Sequence, residues 1–200
     1  MKILIHTQEG SVETFFQDNP DLAARILKEI QSTRVFTGDT ITIAGDYSLT
    51  TFAASRVNRV DFIAEDLPVW KYPADILDVV ELCEDEFREQ SHLNDPPRLE
   101  RRRRSKQSGE FARVFVEVEM AGGARIFLAA EIRVGLPAER LQRLRTLFSA
   151  VAVHFHMREG GTAILNLKNL VRVTFNPGPD VTPISAWPAH HLSGGNGAGA

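Results

Sequence analysis

Residues 41–62 read ITIAGDYSLTTFAASRVNRVDF, and residues 154–175 read HFHMREGGTAILNLKNLVRVTF. At a constant separation of 113 residues, Phe52 meets Leu165, Val57 meets Leu170, Arg59 meets Arg172, Val60 meets Val173 and Phe62 meets Phe175. The turn-forming GDYS of 45–48 falls on REGG of 158–161. Self-similarity at a fixed period sets the architecture before any motif is weighed, so the expected fold is α+β, built from one small unit used twice.

The match extends upstream if the first copy carries a four-residue insertion, Thr37-Gly38-Asp39-Thr40, before which the separation becomes 117. Pro20 then falls on Pro137, Leu27 on Leu144, Lys28 on Arg145, Ile30 on Leu147 and Ser32 on Ser149. A hairpin is expected ahead of each proline: KILIHT–QEG–SVETFFQ in the first copy, RVFVEVEM–AGG–ARIFLAAEI in the second. Each copy thus reads β-β-α-β-β-β, and a tandem duplication in a pseudo-twofold arrangement is expected. A single α+β domain with recurrent turn chemistry is the alternative.

The first helix is capped by Asp18 or Asn19, with Pro20 in its first turn. Leu22, Ile26, Leu27 and Ile30 form its apolar stripe; Leu141, Leu144, Leu147 and Phe148 form that of its counterpart from Pro137. AASRV and NLKNL lie between apolar strands and read as tight corners. Arg59 and Arg172 alternate with apolar neighbours, which points both at solvent. Trp70 and Trp187 each follow a copy among prolines and are expected to anchor on the preceding unit.

Between the copies lies PADILDVVELCEDEFREQ, from Pro73. Ile76, Val80, Cys83 and Phe87 recur at helical spacing opposite an acidic face, which predicts an extra acidic helix. The expected organisation is therefore a first unit over 1–72, an acidic helix with a basic linker over 73–109, a second unit over 110–190 and a flexible Gly-rich tail over 191–200.

No apolar run approaches the roughly 18 residues that cross a bilayer. The short apolar stretch in MKILIHTQEGS does not suit a signal peptide. The lone Cys83 excludes an intrachain disulfide framework and reads as a core residue. A cytoplasmic setting with no membrane partner is expected. The net charge of −3 conceals an asymmetry: residues 1–95 hold 8 Lys+Arg and 18 Asp+Glu, a balance of −10, whereas residues 96–200 hold 15 and 8, a balance of +7. Two halves that attract each other, or a basic half that meets nucleic acid, both fit.

Three features could carry function. The run Arg98, Arg101, Arg102, Arg103, Arg104 and Lys106 can neutralise phosphates. It lacks aromatic residues for base stacking, and the preceding acidic segment could occupy it in cis. Arg140 and Arg143 of the second helix could widen that basic face. His154 and His156 form His-x-His; on a strand they share a face about 7 Å apart, a spacing that suits two ligands of Zn or a similar ion. Glu159, Glu117 and Glu119 are third-ligand candidates by chemistry alone, and the equivalent first-copy positions are Ile41 and Ile43, so substitution at sheet-packing positions is the competing reading. No cofactor is otherwise expected. P-loop, G-x-G-x-x-G, G-x-S-x-G and H-E-x-x-H patterns are absent. The leading expectation is a non-catalytic binding or scaffolding module that engages a protein partner or itself through a groove between the units. The alternatives are a nucleic-acid-binding accessory protein using the arginines and a metal-dependent enzyme at the His-x-His strand.

Overall fold

A computed structural model describes residues 1–30, 34–67, 70–72, 75–93, 95, 97–98, 109–178 and 183–189. The first half runs β1 (Lys2–Thr7), β2 (Val12–Phe16), α1 (Pro20–Glu29), β3 (Thr40–Ala44), β4 (Leu49–Ala53), a 3-10 turn (Ala54–Arg56) and β5 (Val57–Ile63). β6 (Ile76–Leu82) and α2 (Glu84–Ser91) follow. The second half runs β7 (Phe111–Met120), β8 (Arg125–Arg133), α3 (Pro137–Ser149), β9 (Ala152–His156), β10 (Thr162–Asn166), a 3-10 turn (Leu167–Asn169) and β11 (Leu170–Asn176). The protein is mixed α+β. Nine strands form one mostly antiparallel sheet in the order β11-β7-β8-β6-β9-β10-β5-β1-β2, and β3–β4 stand apart as a two-stranded sheet.

Both halves therefore share one element order, and their local geometry corresponds at the separation of 113. β4, the first 3-10 turn and β5 fall on β10, the second 3-10 turn and β11, with identical limits. The first hairpins correspond too. Thr7 N–H donates to Ser11 O as Met120 N–H does to Ala124 O, and Gly10 N–H donates to Thr7 O as Gly123 N–H does to Met120 O. Gly10 (φ 82°) and Gly123 (φ 84°) close these turns in a left-handed conformation that glycine adopts without strain. The register shift between His6 and Thr7 opposite β5 recurs between β7 and β11. The hairpins thus correspond at 113, not at the expected 117. Only the helix starts are 117 apart, because β8 continues four residues beyond Ala129, the counterpart of the end of β2 at Phe16.

α1 begins as its sequence dictates: the Asn19 side chain accepts from Asp21 N–H at 2.9 Å and Leu22 N–H at 3.1 Å. Leu27 carries its buried face into a core with Ile3, Ile5, Phe36, Val60, Phe62 and Ile164. In the second half, β10 and β11 stand at opposite ends of a six-strand run yet are joined by a three-residue turn. That run must curl until its ends approach. Its inner face buries Val118, Met120, Leu128, Phe155 and Leu165, each contributing about 1.5–3 kcal/mol. α2 covers a third cluster through Phe87, which packs on Phe115 and Phe127.

The segment expected to be one long acidic helix is instead a strand, Ile76–Leu82, followed by the short α2. β6 lies between β8 and β9; a register shift between Ile76 and Asp78, Leu82 packed on the Phe87 cluster and Glu81 turned to Arg59 leave ILDVVEL without simple alternation. The spacing of Ile76, Val80, Cys83 and Phe87 mimicked a helical stripe across a strand–helix junction. Cys83 is the N-cap of α2, its Sγ accepting from Glu86 N–H while its own N–H donates to Glu86 Oε2, rather than a core residue. The two tryptophans also differ. Trp70 packs edge-on against Phe62, but Trp187 is exposed. Trp70 also leans on His154; the counterpart of β9, β3, belongs to the separate hairpin and supplies no such wall.

The halves are joined by β10 pairing with β5 and by buried asparagines at the two 3-10 turns. Asn166 donates to Ala54 O and Val57 O, Asn169 to Val57 O and Asn58 Oδ1, and Asn58 to Ala121 O. Ion pairs add to this: Asp75–Arg143, Asp78–His156, Glu84–Arg125 and Glu86–Arg158 each set an acid of residues 1–95 against a base of residues 96–200. The charge asymmetry of the sequence is used, in these four pairs, within the chain.

Candidate functional site

β9 places His154 and His156 on one face, as the alternation of a strand requires. Their environments differ sharply. His154 is buried, stacked on Tyr72 with ring centroids 4.4 Å apart, and its Nε2 lies 3.3 Å from Trp70 O. Burial lowers its pKa below the ordinary value; the Trp70 carbonyl opposes this and nearby His156 adds to it. Its neutral ring is a packing surface. His156 is exposed at the rim, meets Tyr72 edge-on and pairs through Nδ1 with Asp78 Oδ1 at 2.9 Å. The Tyr72 phenol donates weakly to Val79 O at 3.4 Å, and burial with Asp78 nearby holds it protonated well above the usual phenol range.

Beside this cluster is a cavity of about 350 Å³ between the halves. Ala64, Glu65 and Leu67 from the chain after β5 form one wall; His156, Met157, Gly160, Gly161 and Thr162 from the β9–β10 turn form the other. The turn approaches closely because residue 161 is glycine: φ is 100°, and a Cβ would lie 2.5 Å from Phe62 O. Leu67 and Met157 offer apolar surface, while Glu65 and His156 offer one acidic and one imidazole group. Among the described residues, no group of three or more His, Cys, Asp or Glu side chains is arranged to hold a metal ion.

A second polar cluster lies on the sheet. Arg59 forks onto both Glu81 carboxylate oxygens and donates through Nε to Asp61 at 2.5 Å; Asp61 also meets His6 Nε2 at 2.8 Å. The guanidinium sits 5.1 Å over the Phe155 ring. Burial works against its charge, but Glu81 and Asp61 outweigh it and raise the pKa. Arg59 was expected to face solvent, yet its side chain is only 13% exposed. Carboxylates on the same sheet face, including one from β6, give it a buried seat that alternation alone does not reveal. Arg172, its counterpart, is exposed and meets Glu117 and Glu119.

Of the arginines expected to form a basic face, three lie among the described residues. Arg143 pairs with Asp75 and donates to Arg133 O, and Arg140 donates to Gly135 O. Arg143 helps to line a cavity of about 510 Å³ at the start of α3, where Glu139 accepts from Leu136 N–H. Arg98 is exposed, 3.4 Å from His92 Nδ1. Arg101, Arg102, Arg103, Arg104 and Lys106 lie outside the described residues, as do His190, His191 and the tail. Asp75, Asp78, Glu81, Glu84 and Glu86 of the acidic segment each meet a base in the folded sheet: Arg143, His156, Arg59, Arg88 with Arg125, and Arg158.

Tyr72, Asp78, Glu65 and Met157 were not singled out by the sequence. Adjacency to Trp70 was the only local signal for Tyr72, and the others meet the histidines through sheet pairing and a turn. Among the described residues, no helix is long and apolar enough to cross a membrane. No protein-family model matches the chain, and neither curated proteins nor solved structures give a match.

Proposed function

We propose that this chain is a tandem duplication of one β-β-α-β-β-β unit and acts as a non-catalytic binding module in the cytoplasm, with its ligand seat in the cavity between the halves. Supporting the duplication are the shared hairpin hydrogen bonds, the shared bulge and the coincident strand limits at 113 residues. The 3-10 turns touch, and an approximate twofold would pass near them; away from that point the copies have diverged, since β10 pairs with β5 while β4 pairs only with β3 among the described residues. The observation that carries the binding reading is the open cleft of about 350 Å³ with a wall from each half. Its lining suits a small ligand, or a partner's side chain, with an apolar body against Leu67 and Met157 and a polar group towards Glu65 and His156. Ala64→Phe fills the cavity from its rim. Small amines and amides that raise the melting temperature of the wild type should leave the variant unmoved; equal stabilisation of both proteins rejects the seat.

A second reading is supported by the ion pairs. Five acids of the 75–86 segment already meet bases within the fold, which argues against that segment neutralising the run in cis; on this reading the protein binds nucleic acid through residues 101–106 with little sequence preference. Heparin and generic DNA or RNA binding across a salt series tests this, with Arg101–Arg104 changed to Gln. Loss of a steeply salt-dependent affinity in the variant supports it; no binding at low salt rejects it.

A further inference from the structure

We propose that two copies of this chain associate through β2, antiparallel about Thr14, to continue the sheet across a twofold axis. Both observations behind this concern the outer edge of β2, the last strand of the nine.

The first is a comparison within the molecule. Residues 12–16 of β2 correspond to 125–129 of β8, and the equivalent edge of β8 is covered: Phe127, Leu128 and Ala129 pair with Leu82, Glu81 and Val80 of β6. Thr14, Phe15 and Phe16 have β1 on one side and no strand on the other among the described residues. The same edge is filled in one half and open in the other.

The second is the chemistry of VETFF. Gln17 N–H donates to Met1 O, and Ser11 O accepts from Thr7 N–H, so these positions turn their backbone groups towards β1. By alternation, the N–H and C=O of Val12, Thr14 and Phe16 point outward. An antiparallel partner centred on Thr14 sets Val12 beside the partner's Phe16, Thr14 beside Thr14, and Glu13 beside Phe15. No like charges meet, and apolar cross-strand pairs form at both ends. Phe16 is 76% exposed and Val12 48% exposed, and both would be covered. The strand carries none of the Lys, Pro or bulge devices that blunt an edge; Glu13 is its only charge. A self-complementary strand gives a closed twofold dimer rather than an open filament. This inference uses the duplication for its comparison, but it is independent of the cavity.

Sedimentation velocity of the full chain, from about 5 to 200 μM, tests it across the range of a weak to moderate dimer. The expected result is a species of twice the 22.3 kDa chain. Thr14→Pro removes only an outward N–H, and Phe16→Lys places a charge at the seam. Each should shift the dissociation constant at least tenfold towards monomer while circular dichroism and melting temperature stay near wild type. Val171→Lys, on the opposite edge strand β11, should leave the dimer intact. A wild type that is monomeric at the highest concentration overturns the proposal, as does a monomer that binds an added extended peptide instead. So does a dimer that survives Thr14→Pro and Phe16→Lys, or one lost only in Val171→Lys. None of these results bears on ligand binding in the cavity, which the Ala64→Phe comparison reads separately.

Discussion

Replacing Asn166 tests how the halves are joined. Its side chain has no exposed surface. It donates to Ala54 O at 3.0 Å and Val57 O at 2.9 Å, and accepts from Lys168 N–H at 3.1 Å. In Asn166→Ala the two carbonyls keep other donors, since Val57 N–H caps Ala54 O and Asn169 donates to Val57 O. Only the Lys168 N–H loses its partner. Three hydrogen bonds at about 1 kcal/mol each set the cost near 3 kcal/mol. Asn166→Asp keeps the shape but turns carboxylate oxygens on two carbonyls and buries a charge, so it should cost more, about 4 kcal/mol or above at neutral pH. Burial beside two carbonyls raises the pKa of such a carboxyl above its unfolded value. The folded state then binds more protons than the unfolded state, and stability should recover as pH falls towards 5. Urea unfolding followed by circular dichroism at neutral and acidic pH reads all three quantities. An Asn166→Asp protein within about 0.5 kcal/mol of wild type, or milder than Asn166→Ala, refutes this account of the junction.

Three further outcomes follow from the geometry. Arg59→Leu should cost about 3 kcal/mol, because buried Asp61 and half-buried Glu81 lose their shared cation; Arg59→Lys, which cannot fork, should fall between in chemical denaturation. His154 has a depressed pKa, so its neutral form is favoured by folding and its contribution is lost as pH falls below the unfolded value near 6.5. The melting temperature should drop over that range, and His154→Gln should flatten the drop. Gly122→Ala should be the more damaging of two turn substitutions, since its Cβ would lie 1.8 Å from Gln8 O, whereas Gly10→Ala meets nothing within 4 Å and bears only left-handed strain of about 1 kcal/mol. Thermal melts of both variants check the order.

The first helix and the two hairpins were legible because each states its own local chemistry. Asn19 before Pro20 starts a helix in any context, and the QEG and AGG tips close hairpins through Gly10 and Gly123. β6 was not legible, because a bulge after Ile76 and an apolar contact on each face break its alternation, and its junction with α2 imitated a helical stripe. Arg59 was misplaced for a related reason. Strand period fixes its face but not what stands across that face, and Glu81 arrives from a different part of the chain. The His-x-His face was readable from spacing, whereas the stack on Tyr72, the pair with Asp78 and the cavity against residues 64–67 depend on β9 lying beside β6 and β10 beside β5. Trp70 and Trp187 both stand near prolines, but only Trp70 meets Phe62 and His154, which the sequence around it does not reveal.

A heteronuclear NMR titration reads the proposed ligand seat between the two halves. With the Met157 methyl and the amides of Glu65, Leu67, Gly161 and Thr162 as reporters, small amine and amide ligands should move both walls together, saturating at one dissociation constant, and should move neither in Ala64→Phe. Shifts confined to one wall, or shifts that never saturate, would contradict the account.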